Sequence, residues 1–184
     1  HSVWSVLPID EDRILSASAD KTVRLWSISS PKEPLYVFEG ATQAVRDIAR
    51  VSDTTFVSAG NDGQLRLYPI HGGAPYKTFA SLPAFVYALA PLADGFVSSG
   101  EDRCVRVWAH DALTQLVPVP ALSVWCVCTL SNGDMACGAS DGTVTIFTRD
   151  AARAALLPEQ EAFAADIATQ SLSCLLYTSP SPRD

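Results

Sequence analysis

The chain has 184 residues, is 48% apolar and 18% charged, and carries a net charge of −7. That much apolar content excludes wholesale disorder, and the acidic balance argues against an electrostatic grip on nucleic acid or anionic lipid. No apolar run approaches the about 18 residues of a membrane span, so membrane insertion is not expected either.

From the N-terminus, four segments align: SASADKTVRLW (Ser16–Trp26), SAGNDGQLRLY (Ser58–Tyr68), SSGEDRCVRVW (Ser98–Trp108) and CGASDGTVTIF (Cys137–Phe147). Each places an aspartate six residues before an aromatic, pairing Asp20 with Trp26, Asp62 with Tyr68, Asp102 with Trp108 and Asp141 with Phe147. The aspartates lie 42, 40 and 39 residues apart, a period that marks a repeat architecture. A second anchor precedes each: VWSV (Val3–Val6), VRDI (Val45–Ile48), VYAL (Val86–Leu89) and VWCV (Val124–Val127). The leading valine stands 17, 17, 16 and 17 residues before its aspartate, so both anchors keep register through four copies.

Each repeat breaks into short strands separated by turn residues. In the second, AVRDIARV, TFVSAG, LRLYPI and YKTFA are divided by Ser-Asp, Asn-Asp-Gly and His-Gly-Gly-Ala-Pro, an all-β signature. The four aspartates are expected to accept backbone N–H groups and shape the turn between second and third strands. The four aromatics are expected to bury large surfaces between neighbouring units. Arg24, Arg66 and Arg106, two residues before the aromatic, read as partners at the solvent edge.

The fourth repeat lacks a fourth strand after Arg149. An alanine-rich segment follows, with Pro158 at a helix start and Phe163 and Ile167 at i, i+4. The chain opens on histidine, not methionine, and has no signal-peptide pattern, so it is expected to begin mid-protein. Its end, CLLYTSPSPRD (Cys174–Asp184), back-translates into a sequence resembling a transposase-based sequencing adaptor and is expected to be translated adaptor. The expected division is residues 1–149 as four units (about 1–40, 41–81, 82–120 and 121–149), 150–172 as a helical segment, and 173–184 as adaptor.

These repeats resemble the WD-repeat β-propeller family, whose four-stranded blades surround a central channel. The Gly-His pair that usually opens a repeat survives only as Gly40-Ala41, and the aromatic is followed by Ser27, Pro69, Ala109 or Thr148, never Asp. The Asp-His network of regular WD repeats is therefore incomplete. SVWSV with RILSASADKTVRLW, then VRDIA, FVSAGNDGQLRLY, FVSSGEDRCVRVW and SVWCVCTLSNGDMACGASDGTVTIFT, together resemble the phospholipase A2-activating protein family over about Val3–Leu172. That resemblance implies the last four blades of a seven-bladed propeller, followed by a short α-helix. It further implies a ubiquitin-binding adaptor in ubiquitin-dependent protein degradation, resident in cytoplasm and nucleus. The partner AAA segregase, valosin-containing protein, would be gripped by a domain absent from these residues.

Three constellations could carry chemistry. G-A-S-D-G (Gly138–Gly142) fits the G-x-S-x-G pattern of a nucleophilic serine, but the strand-forming VTIF follows where a nucleophile elbow requires a helix. It aligns with three sister turns, so no catalytic residue and no enzyme are expected. Cys126 and Cys128 alternate on one strand, yet no C-x-x-C pair or histidine accompanies them; they read as buried thiols of a reduced, intracellular protein, and neither metal nor cofactor is expected. The residues after the leading valines, Trp4, Arg46, Tyr87 and Trp125, have the composition of a protein-binding hot spot. Packing between blades is the alternative for them. Lys21 and Arg103, in the turns at the same end, are candidates for a polar rim. A generic WD-repeat scaffold with a partner other than ubiquitin is the alternative function.

Overall fold

The structure, a computed structural model, describes residues 1–79 and 82–176, with side chains through residue 170. Within them the chain folds into four antiparallel sheets in sequence order. The first holds β1 (Val3–Pro8), β2 (Arg13–Ser18), β3 (Val23–Ser27) and β4 (Tyr36–Phe38). The second holds β5 (Val45–Arg50), β6 (Thr55–Gly60), β7 (Arg66–Pro69) and β8 (Lys77–Thr78). The third holds β9 (Val86–Leu92), β10 (Gly95–Gly100), β11 (Cys104–Ala109) and β12 (Ala112–Pro118). The fourth holds β13 (Val124–Thr129), β14 (Met135–Ala139) and β15 (Val144–Phe147), with no fourth strand among the described residues. α1 (Leu157–Leu176) follows and so runs into the adaptor-like segment, of which residues 177–184 lie outside the described residues.

Consecutive strands pair with their sequence neighbours, because the turns between them are too short for any other connection. β5 packs on β1, β9 on β5 and β13 on β9, so the first strands form one inner wall and the sheets fan outward from it. Three apolar cores fill the three intervals. Leu15, Leu25 and Phe38 meet Phe56, Tyr68 and Ile70 between the first and second sheets. Val57, Leu67 and Phe79 meet Phe96 and Trp108 between the second and third, and Val97, Val105 and Val107 meet Val124, Val127 and Cys137 between the third and fourth.

The repeat aromatics differ in fate accordingly. Tyr68 lies 5.3 Å from Phe56 and 5.4 Å from Phe38; Trp108 lies 4.9 Å from Phe79. Each therefore packs toward the preceding sheet. Phe147 is half-buried, with Phe163 of α1 at 6.5 Å. Trp26 lines an open apolar groove with Val3, Val6, Ile14 and Ile28. Trp26 and Trp108 each donate their indole N–H to a serine of the second strand, Ser16 and Ser98, at 2.9 Å. α1 is tied to the third sheet's end by Gln170, whose amide donates to the Pro120 carbonyl at 3.0 Å.

Three of the four turn aspartates accept a turn N–H, Asp102 being bonded instead by the Arg106 side chain, and two further expectations change. Asp20, Asp62 and Asp141 accept the N–H two residues on, from Thr22, Gln64 and Thr143. Arg66 and Arg106 are not at the solvent edge: both are buried, and each pairs with its own turn aspartate, Asp62 and Asp102. Arg24 pairs with Asp20 in the same way but stays half-exposed. A neighbouring sheet closes over an arginine at i+4 only after its charge has a partner, because an unpaired buried guanidinium is too costly. The second correction concerns Cys126 and Cys128, which are exposed. They sit on the face of the fourth sheet that no described element covers, while Cys137 turns into the core.

Candidate partner-binding face

The site begins with a repeated irregularity. In every first strand the pairing register slips by one residue: Val3 faces Ser18 but Ser5 faces Ala17, and Val45 faces Gly60 but Asp47 faces Ala59. Likewise Val86 faces Gly100 but Ala88 faces Ser99, and Val124 faces Ala139 but Cys126 faces Gly138. The extra residues are Trp4, Arg46, Tyr87 and Trp125. A β-bulge leaves its extra residue unpaired and re-aims its side chain. Each bulge is pinned by the same backbone bond, from Ala19, Asn61, Glu101 and Ser140 N–H to the carbonyl before the leading valine (Ser2, Ala44, Phe85 and Ser123), at 2.9 to 3.0 Å.

The four re-aimed side chains meet. The Arg46 guanidinium carbon lies 4.6 Å from the centre of the Trp4 ring and 5.1 Å from that of Tyr87. Tyr87 stacks on Trp125 with centroids 4.6 Å apart and planes 10° from parallel. One continuous ladder, ring–cation–ring–ring, thus crosses all four sheets. Its ends are open, with Trp4 43% and Trp125 52% exposed. Arg46 Nε donates to Asn61 Oδ1 at 2.7 Å, which fixes the plane of the guanidinium.

Beneath the ladder sits Asp47, whose importance was not read from the sequence. Its carboxylate accepts the N–H of Leu89 at 2.7 Å and of Ile48 at 2.9 Å, and the Ser5 hydroxyl also hydrogen-bonds to it. It therefore laces β1, β5 and β9 together. Burial pushes its pKa up, against the lowering effect of those bonds. The available signal was that a carboxylate occupies the place taken by Ser5, Ala88 and Cys126 in the other repeats. Tyr87 is pushed up by burial and by the Glu101 charge, against the pull of Arg46.

Lys21 and Arg103 stand in the turns at this same end, since Val3 pairs with Ser18 and Val86 with Gly100. Both have left-handed backbone, φ 73° and 65°. Among the described residues neither side chain makes a hydrogen bond, ion pair or cation–π contact with the ladder. Ser140 belongs to the fourth turn, where its hydroxyl accepts the Ser123 N–H at 3.1 Å and the chain continues into strand β15. Among the described residues no group of three or more His, Cys, Asp or Glu is placed to hold a metal. No helix there is long and apolar enough to cross a membrane.

The WD domain, G-beta repeat family matches residues 1–27, 32–68 and 118–148, more than half of the chain. The chain belongs to the WD-repeat family. Residues 69–117, between the matched stretches, nonetheless carry nearly all of the third WD-type sheet. Among curated relatives, this WD-repeat chain is 40% identical over 102 residues to the ubiquitin homeostasis protein lub1 of Schizosaccharomyces pombe, covering 54% of this chain and 14% of that protein. Over 49 residues it is 49% identical to the phospholipase A-2-activating protein of Xenopus laevis, covering 27% of this chain and 6% of that one. The solved WD40 β-propeller domain of Doa1 superposes with a TM-score of 0.77 at 38% identity, over 84% of this chain and 53% of the solved one. The resemblance to the phospholipase A2-activating protein family therefore holds, and the chain spans about a seventh of the fission-yeast relative.

Proposed function

We propose that this chain is the propeller portion of a ubiquitin-homeostasis adaptor and recognises ubiquitin, without catalysis, on the ladder face. The observation that carries this reading is the ladder itself: Trp4, Arg46, Tyr87 and Trp125 come from four sheets and meet in one partly exposed stack. Aromatic residues and arginine in a rigid cluster are what protein hot spots are made of, and a stiff scaffold loses little freedom on binding. The relation to a ubiquitin homeostasis protein supports ubiquitin as the partner. The match to about half of the Doa1 propeller supports the four sheets as part of a larger propeller, and their place as the last four of seven blades belongs to the proposal. Partnership with the AAA segregase valosin-containing protein, through a region beyond these residues, and residence in cytoplasm and nucleus complete the proposal.

Titrating the protein into isotope-labelled ubiquitin tests it. Shifts clustered on the apolar patch of ubiquitin are expected, and Trp125→Ala should weaken them about tenfold or more. A ubiquitin spectrum unchanged at high micromolar protein overturns the reading.

A further inference from the structure

We infer that the ladder face reads a carboxylate, held by the Nη edge of Arg46 between the rings of Trp4 and Tyr87. The inference rests on the ladder being the binding face and adds the chemistry of what it grips. A guanidinium has two flat faces and an edge of five donors. Here the guanidinium carbon lies 4.6 and 5.1 Å from rings carried by the strands on either side of β5, and the Nε donor is spent on Asn61 at 2.7 Å. The two Nη groups have no hydrogen-bond or ion-pair partner among the described residues, and the side chain is only half-buried. What remains is a fork of parallel N–H donors, already locked in orientation, whose geometry matches one carboxylate.

The surrounding charges favour this use. Asp47, next in the chain, does not pair with Arg46, because its oxygens are taken by Leu89, Ile48 and Ser5. Glu101 is the opposing group; it is exposed, occupies in the third repeat the place Asn61 has in the second, and makes no ion pair with Arg46. Lys21 and Arg103 add positive charge at the same end. Two rings against the guanidinium hold it in place before a ligand arrives, and so lower the ordering cost a free arginine would meet on binding.

The test follows the Arg46 Nε–H NMR signal while N-acetylglycine, N-acetylglutamic α-amide or N-acetylglycinamide is added at constant ionic strength. Both acids should shift it saturably in the millimolar range and the uncharged amide should not. The tighter acid tells a C-terminal from a side-chain carboxylate. Glu101→Gln, which leaves the ladder contacts intact, should tighten either acid about two- to threefold. Arg46→Lys keeps the charge but loses the fork; read from the backbone amide shifts of β5, in parent and variant alike, it should weaken both acids about tenfold with the rest of the amide spectrum preserved. Equal shifts with the amide, no saturable shift with either acid, or undiminished affinity in Arg46→Lys overturns the inference. Acid binding without ubiquitin binding would instead defeat only the ubiquitin reading.

Discussion

The second and fourth turns are nearly the same in sequence, Asn-Asp-Gly and Ser-Asp-Gly, yet they do different physical work. In the second, Asp62 and Arg66 are 5% and 4% exposed, 2.9 Å apart, and sealed between sheets. In the fourth, threonine replaces the arginine at i+4, and exposed Asp141 accepts from Thr143 through its N–H at 3.0 Å and its hydroxyl at 2.7 Å, with no ion pair among the described residues. The glycines diverge as well. A Cβ on Gly63 would stand 2.4 Å from the Leu82 carbonyl oxygen, whereas one on Gly142 would meet nothing within 4 Å, although both have φ in the left-handed region. The motif sets the turn; the neighbouring sheet decides how much stability depends on it.

The sharpest way to break this contrast is to remove the carboxylates. Asp62→Ala strands a buried guanidinium and should cost about 3–5 kcal/mol in urea unfolding, and Asp102→Ala should follow it. Asp141→Ala should stay within about 1 kcal/mol. Equal losses would show that the turn, not its burial, carries the energy. The glycines come next: Gly63→Ala should cost more than about 2 kcal/mol, combining left-handed strain with displacement of the Leu82 backbone, and Gly142→Ala about 1–2 from strain alone.

Acid titration separates two carboxylates of opposite sign. Burial alone would raise Asp62, but Arg66 and the Thr42 and Gln64 N–H groups hold its pKa below the ordinary 3.8. Its stabilising share is therefore complete above pH 3.8 and is lost as pH falls through the depressed value. Asp47 is raised, so its charged form is a burden fully present above its folded pKa and relieved as pH falls toward 3.8. Urea midpoints between pH 6 and 3 should fall less steeply at the acid end in Asp62→Asn than in the parent. The smallest effect should come from Lys21→Gly and Arg103→Gly, a gain of up to about 1 kcal/mol each from relieved positive φ.

The repeat was legible because its signals are local. An aspartate binding its own turn and a valine opening each strand act within one repeat, so the four repeats and their strand order could be read from local spacing alone. Residues 69–117 show how far that reaches, since pattern alone marks a repeat there. The candidate quartet was legible as positions but not as a stack. Trp4 and Arg46 lie 42 residues apart, and nothing in either segment states that a ring will settle on a guanidinium. Arg66 and Arg106 were misjudged for the same reason, as was the exposure of Cys126 and Cys128.

By itself, then, the sequence determined the period, the strand-and-turn order and the four recurring positions after the leading valines, because hydrogen bonding within a turn and along a hairpin is short-range. Only the tertiary structure decided which of four like turns became a buried ion pair, and that four bulged side chains share one ladder. Burial and stacking depend on surfaces brought in from about forty residues away, and those exist only once the sheets have packed.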